Sequence, residues 1–259
     1  MEFHPGFDIM PTTEPMGFKY GAGCFGPSVE YRSLDSIRKS LLDPSCGGPD
    51  PVYAIAMDTG KLEHLSALRE RNLLFGVVTY ASGTLGNEPV RSQGHVHRRS
   101  RNNLLSPPEV YEIWSGEAIV LMQEYVEDNP GRCFAVHAGP GEVVVVPPDW
   151  AHATISADPK TPLTFGAWCD RDYGFEYEGV RSHRGLAWFP FLDDAGKIHW
   201  RENPRYKASK LTEKDPSDYG LLGILRGIPI YAQFERDLNA FLYVSKPELR
   251  EEVWSDFVP

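Results

Sequence analysis

The stretch between residues 73 and 169 consists of short apolar segments that alternate with turn residues, and this texture constrains the fold more than any other feature. The segments are rich in β-branched and aromatic residues and are bounded by Gly, Pro or Asn-Pro-Gly, which is typical of β-strands joined by tight turns. Several short strands at this spacing favour an all-β sandwich or barrel. The segments are LLFGVVTY (73–80), EVYEIW (109–114), AIVLMQEY (118–125), CFAVHA (133–138), EVVVVP (142–147), HATIS (152–156) and LTFGAWC (163–169).

The chain around these strands divides into three parts. We predict that residues 1–50 form an N-terminal arm with a short helix and that residues 51–206 form the barrel domain. Residues 207–259 are predicted to form a partly helical C-terminal extension. The arm is rich in Pro, Gly and aromatic residues such as Phe7, and this apolar area indicates that it packs on the barrel. The extension contains the helical-looking FERDLNAFLYV (234–244). The sequence leaves open whether these additions wrap a dimer partner or cover the barrel mouth.

Composition excludes several classes of function. The formal net charge of −10 argues against general binding of nucleic acid or anionic membranes, and a phosphate ester would need a locally positive pocket. No stretch approaches the roughly 20 apolar residues of a membrane span, and the N-terminus lacks the basic start and apolar run of a signal peptide. The cysteines Cys24, Cys46, Cys133 and Cys169 form no CxxC pair. They indicate reduced thiols in a cytoplasmic protein.

Three histidines and one glutamate form a candidate metal site. His95 and His97, in GHVH, lie on the same face of a strand if the segment is extended, because side chains alternate along a strand. Glu109 opens the next strand, and His152 follows a strand and a Pro-rich corner. An HxH pair alone is weak evidence, but the ordered set is much stronger. Three imidazoles and a carboxylate suit Fe²⁺, Mn²⁺, Co²⁺, Ni²⁺ or Zn²⁺.

This ordered set resembles the two cupin motifs, with Asp149 and Ser156 at positions where the usual motif has Gly and Asn. The loop from 98 to 108 is also longer than usual. Beyond generic cupins, the chain from about 51 to 206 resembles the cupin-type glucose-6-phosphate isomerases first typified by archaeal enzymes. The stretches that carry the resemblance are GHVH (94–97), PEVYEIWSGEAIVLMQ (108–123), GEVVVVPPDWAHATIS (141–156), DRDYGFEY (170–177) and ENPRY (202–206).

The resemblance implies a homodimeric, all-β double-stranded β-helix (a jelly-roll barrel) with short peripheral helices. It implies one divalent metal per chain, with Fe²⁺ favoured, on His95, His97, Glu109 and His152. It also implies interconversion of glucose 6-phosphate and fructose 6-phosphate, with a sugar phosphate as the partner molecule.

Further site residues follow from the resemblance by position. Tyr111 matches a tyrosine of the sugar pocket, and the family's phosphate-gripping Thr-Lys-Gly-His run reads Ser92-Gln93-Gly94-His95 here, without the lysine. A threonine of the family aligns with either Val78 or Thr79, depending on a shift of one residue. We take Thr79 as the predicted substrate contact. The other predicted substrate contacts are Arg171, whose fork of donors suits a phosphate, and the tyrosines Tyr53 and Tyr173.

The catalytic roles and the reaction both leave alternatives open. Glu109 is the candidate base for the sugar's C2 proton, and Tyr111 is a positioning group, while a direct hydride shift needs no base. Other readings are an isomerase of lyxose or mannose 6-phosphate, a dioxygenase with three His and one Glu on its metal, or a sugar-binding cupin without catalysis.

Overall fold

The structure is a computed structural model that describes residues 3–101 and 104–259. Its strands are β1 (Ile9–Thr13), β2 (Met16–Tyr20), β3 (Cys24–Phe25), β4 (Glu30–Arg32), β5 (Tyr53–Lys61), β6 (Leu73–Tyr80), β7 (Thr84–Leu85), β8 (Glu88–Pro89), β9 (Val96–His97), β10 (Glu109–Ser115), β11 (Ala118–Gln123), β12 (Cys133–Ala138), β13 (Val143–Val146), β14 (Ala151–Ser156), β15 (Thr164–Asp170), β16 (Phe175–Glu176), β17 (Trp188–Leu192), β18 (Ile198–Glu202) and β19 (Leu211–Lys214). Its helices are α1 (Leu34–Ile37), α2 (Leu65–Glu70), α3 (Glu178–Ser182), α4 (Ile230–Arg236), α5 (Leu242–Ser245) and α6 (Glu251–Trp254).

Two sheets form the barrel and confirm the predicted double-stranded β-helix. The larger has the order β13-β10-β15-β6-β5-β3, with β4 also paired to β5, and the smaller has the order β14-β11-β12-β19. Each of the seven apolar segments seen in the sequence contains one strand of these sheets. The C-terminal extension adds an edge strand to the smaller sheet. This strand is β19, which pairs in parallel with β12.

Alternation along β10 separates two hydrophobic cores. Tyr111 and Ile113 belong to the core between the two sheets, whereas Val110 and Trp114 belong to a second core on the outer face of the larger sheet. This follows from the two-residue period of a strand, which sends neighbouring side chains to opposite faces. One face of β10 therefore builds the barrel interior, where the candidate metal ligands lie.

The arm and the extension meet on that outer face. The ring of Phe7 lies 4.4 Å from that of Tyr231 on α4, and Trp168 of β15 lies 4.7 Å from Phe234. All four side chains are buried. In this chain the two additions cover the larger sheet together, a placement that the sequence did not distinguish from a barrel lid or a dimer wrap. No helix of the described residues is long and apolar enough to cross a bilayer.

Glu112 joins the barrel to the extension and gives a stability prediction. Its Oε1 accepts a hydrogen bond from the amide of Ile230 at 2.8 Å, and its Oε2 accepts one from Trp114 Nε1 at 3.2 Å. Burial raises the pKa of Glu112 from 4.5 to about 8, although both hydrogen bonds oppose the shift. Between these two values the folded state binds more protons than the unfolded state, so stability falls as pH rises through this window.

We expect Glu112→Gln to remove this pH dependence, because a neutral amide does not titrate. The difference between the free energy of unfolding of the variant and that of the wild type should increase by up to about 1.4 kcal/mol per pH unit between pH 5 and pH 8, because only the wild type loses stability in this range. Urea unfolding of both proteins at several pH values measures this difference. Parallel stability curves would contradict the prediction.

Candidate active site

Four side chains converge inside the barrel: those of His95, His97, Glu109 and His152. Each offers one ligand atom, and these atoms all lie within 4.8 Å of one another. Backbone pairing sets two of them opposite each other, since the amide of His95 donates to the carbonyl of His152 at 3.0 Å and the reverse bond measures 2.9 Å. Glu109 enters from the first position of β10. Residues more than 50 positions apart in sequence thus meet at one point.

The geometry of the histidine rings suits a metal. His97 Nδ1 lies 2.9 Å from the carbonyl oxygen of Pro107, so a proton on Nδ1 leaves Nε2 free to bind a cation. Nε2 of His95 and Nε2 of His152 are buried, and neither makes a hydrogen bond within the part of the chain that the structure describes. Buried polar atoms without partners are costly in a folded protein, and a cation among them would satisfy both. The four residues therefore fit a divalent metal.

The electrostatics of the cluster depend on the carboxylate. Oε2 of Glu109 lies 3.0 Å from His97 Nε2 and 3.4 Å from His152 Nε2. Burial raises the pKa of Glu109, but its contacts with the two imidazoles outweigh burial and hold this pKa well below its usual range. Burial and the neighbouring histidines lower the pKa of His95 well below its usual value. Burial lowers the pKa of His97, but its hydrogen bond with Glu109 outweighs burial and raises it, so a metal that binds here would displace any proton on the Nε2 of that ring.

Two further side chains hold Glu109. The hydroxyl of Tyr111 donates to Oε2 at 2.7 Å, and the thiol of Cys169 donates to Oε1 at 3.0 Å. Burial and the nearby Glu109 charge raise the pKa of both groups well above their usual values, so both remain protonated donors. No motif in the sequence indicates a role for Cys169, because it lies 60 positions from Glu109 and reaches it across the β10–β15 pairing.

The long loop after β9 returns to support the cluster. Ser106 Oγ donates to the carbonyl of His97 at 3.1 Å and accepts from the amide of Asp149 at 3.0 Å. Together with the Pro107 contact, these bonds fix His97 from the far end of the loop. The loop from 98 to 108, which the sequence shows to be longer than usual, includes residues 102–103, and these lie outside the described residues. Gly94 adopts φ +85°, where a side chain would be strained, immediately before His95.

A cavity opens beside the cluster and contains part of the predicted substrate set. Tyr53, Ser92 and Tyr111 line it, next to His95 and Glu109. Ser92 Oγ also accepts a hydrogen bond from the amide of Thr154 at 3.1 Å. The structure adds side chains that were not predicted, and these further lining residues are Arg32, Ile55, Met57, Val78, Tyr80, Gln93, Thr154, Phe165, Phe175 and Tyr177. Tyr80 could have been found by stepping two residues from Val78 along β6, because alternate residues of a strand share a face.

Four predicted substrate contacts lie elsewhere. Thr79 is the wrong choice of its pair, because Val78 faces the cavity while Thr79 Oγ1 lies 3.0 Å from Thr164 Oγ1 on the other face of the sheet. Tyr173 is 37% exposed and lines a separate crevice behind His97. Gly94 supplies the turn before His95 and is not among the cavity-lining residues.

Arg171 is also corrected. Its two terminal nitrogens donate to Asp58 at 2.6 and 2.7 Å, and one of them also donates to the carbonyl of Leu73. Asp58 reaches it from an irregularity in β5, where Asp58 has φ +73°. A guanidinium already paired with a carboxylate in this bidentate way has little to offer a phosphate. Asp58 lies 113 positions from Arg171 in the sequence, so spacing along the chain does not indicate this partner.

Comparison with known proteins identifies the relatives of this chain. Residues 44–207 match the family model described as glucose-6-phosphate isomerase (GPI). The glucose-6-phosphate isomerase of Pyrococcus horikoshii is 30% identical over 207 residues, which cover 75% of this chain and 98% of that protein. The enzyme of the same name from Thermococcus litoralis is 30% identical over 60% of this chain and 71% of its own. An oxalate oxidase structure is 14% identical, with a TM-score of 0.37 over 51% of this chain and 58% of its own.

Proposed function

We propose that this chain, which belongs to the glucose-6-phosphate isomerase family, interconverts glucose 6-phosphate and fructose 6-phosphate with a divalent metal held by His95, His97, Glu109 and His152. The observation that carries the metal is the meeting of these four ligand atoms in a buried site next to a cavity. Fe²⁺ is the favoured ion, with Mn²⁺, Ni²⁺, Co²⁺ and Zn²⁺ as alternatives. The proposal includes a cytoplasmic location and a homodimer.

The residues around the cluster support an isomerisation. A bound divalent cation would supply Lewis-acid polarisation of the sugar's carbonyl oxygen. Among the described residues, Glu109 is the only carboxylate that lines the cavity, and if it swings off the metal it can take the C2 proton and return it to C1. Tyr111, whose hydroxyl lies 2.7 Å from Glu109, can hold the carboxylate or a sugar hydroxyl in place. The apolar lining residues Phe165 and Phe175 exclude water from this end of the cavity.

Removal and return of metal test the proposal. We expect a chelator to abolish conversion of fructose 6-phosphate, measured through a glucose-6-phosphate dehydrogenase couple, and at least one of Fe²⁺, Mn²⁺, Ni²⁺, Co²⁺ or Zn²⁺ to restore it. The control is the same chelation and dialysis without added metal. An enzyme that keeps its full rate after complete metal removal, or that shows no rate with any metal, would contradict the proposal. Solvent deuterium appearing in the product would exclude a pure hydride shift.

A second candidate is an isomerase of another sugar, such as lyxose or mannose 6-phosphate. It is favoured by Gln93, which stands where the family's phosphate-gripping run has lysine and which lines the cavity. The same metal-loaded enzyme assayed with free and phosphorylated sugars separates the two candidates. Oxygen consumption without isomerisation would instead indicate a dioxygenase, and binding without turnover a sugar-binding protein.

A further inference from the structure

We infer that Arg32, in the N-terminal arm, binds the phosphate of the substrate in the cavity beside the candidate metal ligands. This inference rests on the proposed function, because it names the residue that selects a phosphorylated sugar at that site. Arg32 lies outside residues 44–207, the region that matches the family model. The arm would therefore complete the active site of this chain.

The backbone places Arg32 at the cavity. Arg32 ends β4, which pairs with the first residues of β5 so that Arg32 lies opposite Tyr53. The amide of Val52 donates to the carbonyl of Arg32 at 2.8 Å. Both Arg32 and Tyr53 line the cavity that also contains His95 and Glu109. A strand position is held more firmly than a loop position, so the guanidinium is delivered to the cavity by the sheet itself.

Arg32 differs from the other arginines close to the site in how weakly an acidic side chain holds it. Arg171 is held by Asp58 in a bidentate pair, and Arg91 by Glu88 at 2.9 and 2.7 Å in a buried one. The ion pair of Arg32 with Glu30 is longer, at 3.3 Å, and the Glu30 side chain is 61% exposed. Exposed pairs of this kind contribute little energy, so a phosphate can replace Glu30. Among the described residues, Arg32 is the only Lys or Arg in the cavity lining.

A second arginine strengthens the positive end. The Arg181 guanidinium carbon lies 4.8 Å from the Tyr177 ring centre, and that ring lies 6.0 Å from the ring of His95. Arg181 Nε donates to Gln93 at 3.0 Å, which leaves its terminal nitrogens available. Burial raises the pKa of Tyr177 and the charge of Glu30 adds to the shift, whereas the charges of Arg32 and Arg181 oppose it, so two cations and one exposed carboxylate act on this hydroxyl. Two cations around Tyr177 supply the local positive potential that a chain of net charge −10 needs for an anionic substrate.

The test replaces Arg32 with methionine, which keeps an apolar stem and removes the charge and the donors. We expect KM for fructose 6-phosphate and the inhibition constant of inorganic phosphate to rise about 10- to 100-fold, as expected for loss of charge-assisted hydrogen bonds. The affinity for free fructose and kcat at saturating substrate should change little, because the residue contacts only the phosphate. The control is Arg69→Met on α2, an exposed arginine outside the cavity lining, which should behave as the wild type.

The outcomes separate this inference from the proposed function. Equal losses for free and phosphorylated sugar, or losses no larger than in Arg69→Met, would overturn the role of Arg32. If Arg32→Met does not fold, Arg32→Lys carries the test, because it keeps the charge and loses the fork; it should weaken phosphate binding without affecting free fructose, and an unchanged phosphate affinity would overturn the role. If the wild type turns over no sugar, the proposed function fails. Calorimetry with inorganic phosphate then still tests the phosphate site. If the wild type binds phosphate and Arg32→Met does not, the result supports the site. If the wild type binds no phosphate, the result overturns it.

Discussion

His152→Ala should abolish isomerisation and weaken metal binding by more than about 100-fold, because even groups that only support metal ligands contribute 10- to 100-fold to affinity. His152 is fully buried, and its Nε2 makes no hydrogen bond with the described residues. The substitution removes a ligand together with two contacts of the ring, to Glu109 Oε2 at 3.4 Å and to the carbonyl oxygen of Trp150 at 3.3 Å. The backbone bonds between residues 95 and 152 do not involve the ring, so the apoprotein should keep its barrel.

Metal titration followed by calorimetry measures this effect without relying on activity. Thermal unfolding gives a second measure, because a metal that binds only the folded state at 100 times its Kd stabilises the wild type by about 2.7 kcal/mol. The matched control is His199→Ala. His199 is a half-exposed histidine of β18 that pairs with Asp193. It should retain metal affinity and rate. A His152→Ala protein that takes up one metal ion with unchanged affinity would show that His152 is not a ligand.

The strands of the barrel could be predicted because local sequence determines them. Apolar runs bounded by Gly and Pro remain strands in almost any packing, and all seven of them are strands here. The predicted helix 234–244 is interrupted, in contrast. Asp237 leaves the helical region with φ −142° and ψ 105°, and its carboxylate accepts from the amide of Asn239 at 2.9 Å. This local bond competes with the helix, so α4 ends at Arg236 and α5 begins six residues later, at Leu242.

The candidate metal ligands were predictable for a different reason. His95 and His97 are two residues apart, and Glu109 and His152 occupy fixed positions in a recurring motif, so the pattern already encodes their meeting. The substrate contacts carry less information. A shift of one residue along β6 exchanges Val78 for Thr79 and sends the hydroxyl to the opposite face. An error of one position in the alignment therefore places the predicted contact on the wrong face of the sheet.

The order of the strands accounts for two further differences from the sequence prediction, at Arg171 and Arg32. Arg171 and Asp58 are brought together by the pairing of β6 with both β5 and β15, which sequence spacing does not show. Arg32 reaches the cavity only because β4 joins the edge of the same sheet. Residues outside a motif can therefore complete a site, and their roles depend on strand order, which periodicity alone does not give.

Glu109→Gln should lower kcat/KM by about 100- to 10,000-fold, the range associated with loss of a general acid or base. The amide has nearly the same shape, but it lacks the negative charge that faces His97 at 3.0 Å and His152 at 3.4 Å. Metal affinity should fall as well, since a neutral amide is a weaker ligand than a carboxylate. The rate must be measured at metal concentrations that saturate the variant, as established by titration. Any loss that persists at saturation then reports a role of the carboxylate beyond holding metal.

Glu112→Gln is the matched control, because it makes the same change at a second buried glutamate of β10, three residues further along the strand. Alternation of the strand directs Glu112 away from the cavity to Trp114 and the start of α4, where it meets no candidate ligand. Metal affinity and isomerisation rate should therefore remain close to those of the wild type while its stability changes with pH. If Glu109→Gln keeps the wild-type rate at saturating metal, the carboxylate takes no part in moving the sugar's proton, and the hydride shift becomes the favoured route.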